Sequence, residues 1–512
     1  MQNIKDKMEH FDWFKKWSVY NPDKVAFKEY ETGREYTFAQ VNHLANLTAQ
    51  YFINDLGAST GDRVAVLSEN NLEYMVLFAV AQKTGLTLVP LNYRLTSREL
   101  DFMLADSDPD IVLWEKHFAD KIQNAAAYKT ISHKIPMEKL LEMHKKYLSI
   151  DAFSYEGVHE FDEDHPVFLI YTSGTTAFPK GAKYTHKMLL WNSLNTEIRL
   201  DITSSDRAIN CAPPFHTGSW NVLLATFVLH GAYTLLMRNF DADAVLEQMD
   251  LDKHTIFWGV PTMLKLMVDS PKFESVDLSR IRYFVIGGEA MPIPLIKIWD
   301  RKGVPVRQGY GLTEVGPNVT SLDHSDAIRK QGSIGTPNFF YQTKLVNEQG
   351  KEVKNNEIGE LIIKSATVTP GYWKNEEATR NTIVDGWFHT GDLMKKDDEG
   401  YLYVVDRIKN MYISGGENVY PAEVEHLIRQ LDDVRDVAII GVPHEKWGET
   451  GKAFIVKRSG SDLSEKQVID YCRKNLAKYK TPAYIKFLEQ LPVNNAGKID
   501  RKTLRDQEKT EA

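Results

Sequence analysis

The chain carries the stretch YTSGTTAFPKGA at residues 171–182, which places four serine and threonine hydroxyls, two glycines and one lysine in one short segment. Glycines let backbone N–H groups approach phosphate oxygens closely, and hydroxyls add further hydrogen-bond donors. Lys180 brings a positive charge on a stem long enough to reach those oxygens. The apolar run PVFLIY at 166–171 predicts a buried strand that leads into the loop. The stretch therefore predicts a polyphosphate-binding loop.

This loop differs from the common nucleotide-binding loop. The Walker spacing G-x-x-x-x-G-K-[ST] is absent from it, which disfavours an ordinary P-loop NTPase. A plain Ser/Thr/Gly turn between two strands is the alternative, because the same residue types are typical of turns. The choice between these interpretations depends on the motifs that follow.

Four further motifs follow the loop along the chain. They are YGLTE at 310–314, HTGD at 389–392, DRIKNMYISGGENVYPAEVE at 406–425 and NNAGKIDR at 494–501. In this order and at these separations, the motifs closely resemble the adenylate-forming superfamily, which contains acyl-CoA synthetases, luciferases and the adenylation domains of peptide synthetases. The resemblance extends from about Asn21 to Arg501. Any one motif could arise by chance, but five in register could hardly do so.

The amino-acid composition indicates which kinds of partner the protein binds and which cellular compartment it occupies. The 512 residues are 43% hydrophobic and 26% charged, with a formal charge of −8 and a pI near 6.0. Without a long basic run, this balance argues against nucleic acid as the main partner. Cys211 and Cys472 lie far apart and form no metal-ligand pattern, which disfavours a disulfide framework or structural zinc. Charges in the first residues and the lack of an apolar run of about 18 residues predict a cytoplasmic protein without an integral membrane segment.

The hydrophobic pattern predicts the fold class. Strand-like runs such as DRVAVLS at 62–68 alternate with helix-like segments such as DAVLEQM at 243–249, which is typical of largely parallel sheets covered by helices. With the resemblance, this implies an α/β protein whose large N-terminal domain, residues 1–406, has layered sheets flanked by helices and binds ATP and the acyl group. A small mobile α+β C-terminal domain, residues 407–512, would follow a hinge near 406–409.

The resemblance implies a reaction in two displacements. A substrate carboxylate attacks the α-phosphorus of ATP and pyrophosphate leaves; a thiol then takes the acyl group from the adenylate. Negative charge builds up on oxygens in the first displacement, which therefore needs cations and hydrogen-bond donors. The resemblance assigns the β- and γ-phosphates to Thr172, Ser173, Gly174, Thr175, Thr176 and Lys180. Ala177 departs from the glycine that is usual in the family, and we expect this change to be tolerated.

Further catalytic residues are assigned by the same resemblance. Glu314 is expected to bind Mg²⁺, because a hard cation that bridges phosphates prefers carboxylate oxygen, and Thr175 is the second expected ligand. Thr313 would donate to the α-phosphate. Lys498 would bridge the carboxylate and the α-phosphate in the first displacement. Asn495 replaces the more usual threonine of that motif.

Adenosine and coenzyme A contacts follow from the remaining motifs. Tyr310 is expected to stack on the purine, and Asp392 to accept hydrogen bonds from the ribose hydroxyls with help from Arg407. Lys409 occupies the hinge position. The other expected nucleotide contacts are Gly287, Gly288, Glu289 and Gly311. The expected coenzyme A contacts are Ser414, Gly415, Gly416, Trp447, Tyr479 and Lys480, although a packed tryptophan is an equal alternative for Trp447.

The acyl pocket is predicted around CAPPFHTGSWNVL at 211–223. His216 resembles the family histidine beside the carboxylate, where a neutral imidazole can orient or polarise the substrate. Trp220 resembles the bulky gate of fatty acyl-CoA synthetases. No aspartate is evident where amino-acid-activating domains hold an α-amino group. These features favour a medium- or long-chain fatty acid, although an aryl pocket would also be apolar.

The resemblance thus implies an acid:CoA ligase that uses ATP, Mg²⁺ and coenzyme A. An aryl or o-succinylbenzoate CoA ligase, a fatty acyl-AMP ligase that serves a carrier protein and a luciferase-like oxygenase are the enzymatic alternatives. A peptide-synthetase module is disfavoured because we expect no room for a fused carrier domain after Arg501. An inactive binding homologue is the alternative from another class. The family's charged residues, which are intact here, argue against it: Lys180, Glu314, Asp392, Arg407 and Lys498. A homodimer is left open.

Overall fold

The computed structural model describes residues 11–148, 161–172, 179–288, 291–494 and 497–511. The helices of this part of the chain are α1 (Trp13–Tyr20), α2 (Phe38–Gln50), α3 (Leu72–Thr84), α4 (Ser97–Ser107), α5 (Ala119–Gln123), α6 (Met137–Tyr147), α7 (His186–Leu200), α8 (Thr217–Asn221), α9 (Leu224–His230), α10 (Ala242–Leu251), α11 (Pro261–Asp269), α12 (Ile293–Arg301), α13 (Glu376–Thr382), α14 (Pro421–Ile428), α15 (Glu465–Asn475) and α16 (Arg501–Glu511).

The strands are β1 (Val25–Glu29), β2 (Glu35–Thr37), β3 (Arg63–Leu67), β4 (Thr87–Pro90), β5 (Ile111–Trp114), β6 (His133–Pro136), β7 (Pro166–Thr172), β8 (Lys180–Thr185), β9 (Arg207–Asn210), β10 (Tyr233–Leu236), β11 (Ile256–Gly259), β12 (Tyr283–Ile286), β13 (Val306–Leu312), β14 (Gly316–Ser321), β15 (Thr336–Pro337), β16 (Gln342–Val346), β17 (Ile358–Lys364), β18 (Ile383–Val384), β19 (Trp387–Lys396), β20 (Leu402–Arg407), β21 (Tyr412–Ser414), β22 (Glu417–Val419), β23 (Val434–His444), β24 (Gly448–Lys457) and β25 (Tyr484–Leu488).

The chain divides into two compact units. The first contains Met1–Thr343 and Ile363–Phe388, and the second contains Lys344–Ile362 and His389–Ala512. The predicted α/β class, with a large N-terminal part and a smaller C-terminal part, is confirmed. The second unit includes residues that precede the predicted boundary at 406. The HTGD segment belongs to this unit, because β19, which contains HTGD, pairs with β20. The hinge near 406–409 stays a prediction.

Two large sheets form the first unit. One has nine strands in the order β15-β14-β13-β12-β11-β9-β10-β1-β2, and the other has six in the order β6-β5-β3-β4-β7-β8. Helix α3 is buried along nearly its whole length, because its sequence LEYMVLFAVAQKT is apolar on all sides. Its side chains join a core cluster with residues of β3, β7, α8 and α9.

The candidate site lies at the carboxyl ends of the parallel strands of the nine-stranded sheet. Strands β9, β11, β12 and β13 are parallel, so their carboxyl ends lie at one edge. In open α/β sheets, this edge is where ligands bind. At these ends lie Gly287 and Gly288 after β12, the YGLTE motif at the end of β13, and the segment with His216 after β9.

A buried charge network stabilises the first unit. Arg34 forms ion pairs of 2.8 Å with Glu29 and 2.9 Å with Glu73, whose side chains are only 5% and 3% exposed. His144 Nδ1 lies 3.7 Å from Glu73 Oε1. Burial alone would raise the pKa of Glu73, but the hydrogen bonds and charges of Arg34 and His144 outweigh it and lower the pKa to about 2. Its carboxylate therefore adds stability above its ordinary pKa of 4.5, and this contribution is lost as the pH falls towards 2.

Replacing Arg34 with alanine is expected to lower the free energy of unfolding of the first unit by about 3–5 kcal/mol at pH 7, because two buried carboxylates lose their cation. Urea denaturation measures this change, and the loss should shrink as the pH approaches 2, where Glu73 is protonated. Arg380→Ala is the matched control, because Arg380 pairs with Glu376 in a mostly exposed position. Equal stabilities of the two variants would contradict a role for the network.

The second unit is built around two smaller sheets. Strands β16, β17, β19 and β20 follow one another in one sheet. The other has the order β22-β21-β24-β23, with β25 added parallel to β24. Helices α14 and α15 pack against each other, and their apolar side chains join those of this second sheet in one core cluster. Within the described ranges, no helix has the length and apolar character needed to cross a membrane.

Candidate functional site

The two ends of the predicted phosphate loop lie opposite each other on paired strands. Strands β7 and β8 are antiparallel, and Thr172 is the register partner of Lys180. The Thr172 hydroxyl points towards the Lys180 carbonyl oxygen at 3.5 Å. Strand β7 therefore leads into the predicted loop, as the apolar run at 166–171 predicts. The predicted contacts Ser173, Gly174, Thr175 and Thr176, together with Ala177, lie outside the described residues.

Glu314 lies beside this strand pair. It sits on the short 3-10 turn Thr313–Val315, between β13 and β14. The Thr172 hydroxyl donates to Glu314 Oε1 at 3.0 Å, and the Tyr372 hydroxyl donates to the same oxygen at 3.1 Å. Among the described residues both hydrogen bonds end on Oε1, which leaves Oε2 available to a cation. A carboxylate held in this way by two hydroxyls suits Mg²⁺.

The YGLTE turn requires glycine for steric reasons. A Cβ on Gly311 would lie 2.2 Å from the backbone carbonyl group of Pro317, a distance that no side chain can occupy. Gly316 follows with a φ of +79°, in the left-handed region that favours glycine. The two glycines therefore determine how the turn between β13 and β14 presents Thr313 and Glu314.

The sequence interpretation missed a segment that completes this site. The Thr369 backbone N–H donates to the Glu314 carbonyl oxygen at 2.7 Å, and that of Trp373 donates to the Gly181 carbonyl oxygen at 2.7 Å. Lys180 Nζ lies 5.2 Å from the centre of the Tyr372 ring. Burial and the neighbouring Glu314 carboxylate raise the pKa of Tyr372, so its hydroxyl stays a donor. The available signal was the dipeptide PG before this tyrosine, which marks a turn.

Two glycines follow β12 at the carboxyl end of the sheet. Gly288 has a φ of +83°, and a Cβ on Gly287 would meet no atom closer than the Gly309 carbonyl oxygen at 3.7 Å. Tyr310 follows in β13, where it pairs with Thr320. The adenosine site around Tyr310 and these glycines stays a prediction. The predicted contact Glu289 lies outside the described residues.

The two predicted acyl-pocket residues lie in different surroundings. His216 is partly buried before α8, and its ring lies 4.5 Å from that of Phe215. Trp220 is 1% exposed, its indole N–H donates to the Pro214 carbonyl oxygen at 2.6 Å, and its ring packs on Tyr74 of α3 at 5.0 Å. This geometry favours a packing role for Trp220. Its place in the acyl pocket stays a prediction.

In the second unit, Asp392 and Arg407 are register partners on β19 and β20. Arg407 Nε lies 3.0 Å from Asp392 Oδ1, and the aspartate side chain is 4% exposed. Glu360 organises the motif around them, because it accepts hydrogen bonds from the Gly391 N–H and from His389 Nδ1, both at 2.9 Å. The sequence interpretation did not identify Glu360, which lies in β17, an apolar strand without a recognised motif.

The ISGGEN motif forms a tight hairpin between β21 and β22. Gly415 and Gly416 have φ values of +63° and +87°, as a two-residue hairpin turn with both central residues left-handed requires. The Gly415 N–H donates to the Trp447 carbonyl oxygen at 2.8 Å, and a Cβ on Gly415 would lie 2.7 Å from the indole. Ser414 is buried at the base of the turn. The structure thus brings together four of the predicted coenzyme A contacts: Ser414, Gly415, Gly416 and Trp447.

The other two predicted coenzyme A contacts, Tyr479 and Lys480, lie far from the hairpin turn along the chain. Lys480 Nζ forms an ion pair with Glu423 at 2.7 Å, and Tyr479 packs against the core of the second unit. Lys409, at the predicted hinge, has its pKa lowered by desolvation and by the neighbouring Arg407. The roles of Tyr479 and Lys480 towards coenzyme A, and of Lys409 as the hinge residue, stay predictions.

Lys498 lies on an exposed turn of the second unit. Its backbone N–H donates to Asn494 Oδ1 at 3.1 Å, and its carbonyl oxygen accepts from the Asn494 N–H at 2.7 Å. Gly497 precedes it with a φ of +77°, and Val493 pairs with Ile499 across the turn. This geometry projects Lys498 from a defined backbone position. Asn495, which replaces the more usual threonine of this motif, lies outside the described residues.

Comparison with known proteins identifies relatives over nearly the whole chain. The profile of the family described as AMP-binding enzyme matches residues 14–373, and that of the AMP-binding enzyme C-terminal domain matches residues 423–498. The chain is 38% identical over 450 residues to a feruloyl-CoA synthase from Amycolatopsis sp, covering 86% of this chain and 88% of the relative.

Two further proteins cover more of the chain. A long-chain-fatty-acid–CoA ligase, FadD13 of Mycobacterium tuberculosis, is 37% identical over 505 residues, which is 98% of this chain and 99% of the relative. The solved structure of o-succinylbenzoate coenzyme A synthetase from Bacillus subtilis, in complex with ATP and a magnesium ion, superposes with a TM-score of 0.86. It is 29% identical and covers 97% of this chain and 99% of that one.

Proposed function

The chain belongs to the AMP-binding enzyme family, and we propose that it is an ATP-dependent acid:CoA ligase. It forms an acyl-adenylate from a carboxylic acid and ATP, and passes the acyl group to coenzyme A. The observation that carries the proposal is the Glu314 carboxylate, held by the Thr172 and Tyr372 hydroxyls at the base of the phosphate loop. Relatives named as CoA ligases support it.

The first displacement uses residues of the first unit. The Thr172 hydroxyl and the Lys180 ammonium flank the loop that would hold the β- and γ-phosphates, and Thr313 would donate to the α-phosphate. Glu314 would hold Mg²⁺, which neutralises phosphate charge when bound. Its Oε1 keeps its two hydroxyl donors, so the carboxylate needs little reorganisation as the charge moves. His216 would orient the attacking carboxylate.

Residues of the second unit supply the other proposed roles. Asp392, oriented by its ion pair with Arg407, would accept hydrogen bonds from the ribose hydroxyls. Lys498 would stabilise the charge that builds up during adenylation. The Gly415–Gly416 turn would let the pantetheine arm approach the backbone closely, and Lys409 is the proposed hinge residue.

We propose a medium- or long-chain fatty acid as the substrate. The full-length similarity to a long-chain-fatty-acid–CoA ligase supports this choice. An aryl acid is the second candidate, because a feruloyl-CoA synthase is 38% identical. Both pockets would be apolar, and a hydrophobic pocket discriminates by only about 1–3 kcal/mol per methylene group. A cytoplasmic location stays part of the proposal.

A screen of carboxylic acids tests the proposed function. The purified protein is given ATP, Mg²⁺ and one acid at a time, and pyrophosphate release is measured with and without coenzyme A. We expect release with fatty acids and formation of the acyl-CoA when coenzyme A is present. Release without transfer to coenzyme A would favour an acyl-AMP ligase. No release with any acid would favour the inactive homologue and contradict the proposal.

A further inference from the structure

One buried asparagine joins the two large sheets of the first unit. Asn70 follows β3 of the six-stranded sheet and is 1% exposed. Its side-chain amide donates to the Ala212 carbonyl oxygen at 2.9 Å and to the Met237 carbonyl oxygen at 3.1 Å. These two carbonyl groups lie just past the carboxyl ends of β9 and β10 in the nine-stranded sheet. A single side chain therefore links three strand ends across the two sheets.

The turn that carries Asn70 is held by a buried carboxylate. Glu115 directly follows β5 and is 5% exposed. Its Oε1 accepts hydrogen bonds from the Ser68 hydroxyl at 2.6 Å and from the Asn71 side-chain amide at 2.7 Å, on either side of Asn70. Its Oε2 lies 2.6 Å from Arg238 Nη1, two residues past the end of β10. Asn70 is thus presented from a fixed backbone, so its amide can hold other groups in place.

The segment that Asn70 holds leads directly to His216. Residues 213 and 214 are both proline, so their φ angles are fixed. The His216 backbone N–H donates to the Pro213 carbonyl oxygen at 3.1 Å. The Ala212 carbonyl oxygen accepts a second hydrogen bond, from the Ser219 hydroxyl at 2.9 Å. Because the path from 212 to 216 is short and stiff, a shift of Ala212 would move His216 with it.

We infer that Asn70 is a positioning residue for acid activation: its amide fixes the segment 212–216 and thereby the place of His216 beside the substrate carboxylate. The inference rests on the proposed acid:CoA ligase function. Asn70 lies outside every motif that the sequence analysis identified, and its two partners are 142 and 167 residues away. Since Asn70 is buried against two carbonyl groups, it acts through His216 and not on the substrate itself.

A double-mutant cycle tests this role with the acid that the wild-type protein activates best. In Asn70→Ala two buried carbonyl groups lose a donor. We expect kcat/KM for the acid in pyrophosphate release to fall by about 10–100-fold, because a misplacement of about 1 Å can lower a rate about 100-fold. KM for ATP should stay unchanged, because the proposed ATP contacts lie on other segments. In a His216→Ala background, Asn70→Ala should have little further effect, because the histidine through which it acts is absent.

Two further variants separate positioning from a loss of structure. Asn338→Ala removes another buried amide, which donates to the Asn318 carbonyl oxygen at 2.8 Å, and should leave kcat/KM for the acid unchanged. Ser219→Ala removes the other side-chain hydrogen bond to Ala212 and only one oxygen atom, so it should fold even if Asn70→Ala does not. Its loss should be smaller than that of Asn70→Ala and should likewise disappear in the His216→Ala background.

The cycle distinguishes a failure of the inference from a failure of the proposed function. An equal fractional loss in the wild-type and His216→Ala backgrounds, a raised KM for ATP, or no loss in either Asn70→Ala or Ser219→Ala would overturn the inference alone. A wild-type protein that activates no acid would contradict the proposed function, and the inference with it.

Discussion

Alanine in place of Lys498 is expected to lower acyl-adenylate formation by about 10²–10³-fold or more, the range seen when one group that stabilises developing oxyanion charge is removed. Thioester formation from supplied acyl-adenylate should continue near the wild-type rate, because AMP is already a good leaving group and Lys498 is proposed to act in the first displacement only. Pyrophosphate release measures the first half-reaction, and acyl-CoA production from synthetic acyl-adenylate measures the second.

Lys502→Ala is the matched control for this variant. Lys502 is an exposed lysine four residues further on, at the start of α16, and its loss should change neither half-reaction. Arginine at 498 keeps the charge but alters the reach and geometry, so it should restore only part of the adenylation rate. If both half-reactions fell equally in Lys498→Ala, the proposed role of Lys498 would be wrong.

Glutamine in place of Glu314 is expected to lower adenylation by about 100-fold or more, because the amide keeps an oxygen for the two hydroxyl donors but loses the charge that binds a hard cation. The Mg²⁺ concentration for half-maximal rate should rise as well. Titration of Mg²⁺ at saturating ATP, with pyrophosphate release as the readout, measures both effects.

The variant Tyr372→Phe tests the orientation of the Glu314 carboxylate without changing its charge. This variant removes one of the two hydrogen bonds to Oε1 and leaves the carboxylate intact. We expect a rate loss of about 10–100-fold, the range for one hydrogen bond to a charged group, and a nearly unchanged Mg²⁺ requirement. A normal Mg²⁺ response in Glu314→Gln would show that another group holds the metal.

The sequence alone identified the parts of the site that are contiguous in the chain. The loop after β7 was recognised from closely spaced glycines, hydroxyls and a lysine, and the ISGGEN turn from two adjacent glycines. These features are readable because local backbone geometry demands particular residues. Gly415 and Gly416 need positive φ, and Gly311 cannot carry a Cβ. The family and the α/β class followed from motifs and periodicity of this kind.

The contacts between those parts could not be read from the motifs. Glu314 accepts from Thr172 across 142 residues and from Tyr372 across 58, and Glu360 holds HTGD from a strand about 30 residues earlier. Such pairs depend on which strands become neighbours, and this is decided by burial of whole sheet faces. The residues next to Glu360 in its apolar strand do not indicate which groups its carboxylate binds.

The sequence by itself determined the family and the layered α/β architecture, and it predicted which residues bind phosphate, ribose and a divalent cation. Only the tertiary structure decided that Trp220, expected in the acyl pocket, packs on Tyr74 of α3. It also decided that the Glu314 carboxylate meets the hydroxyls of Thr172 and Tyr372. The physical reason is that the burial of a side chain and the neighbours that it meets depend on how distant elements pack. Turn geometry and charge depend on the residue types within one short segment.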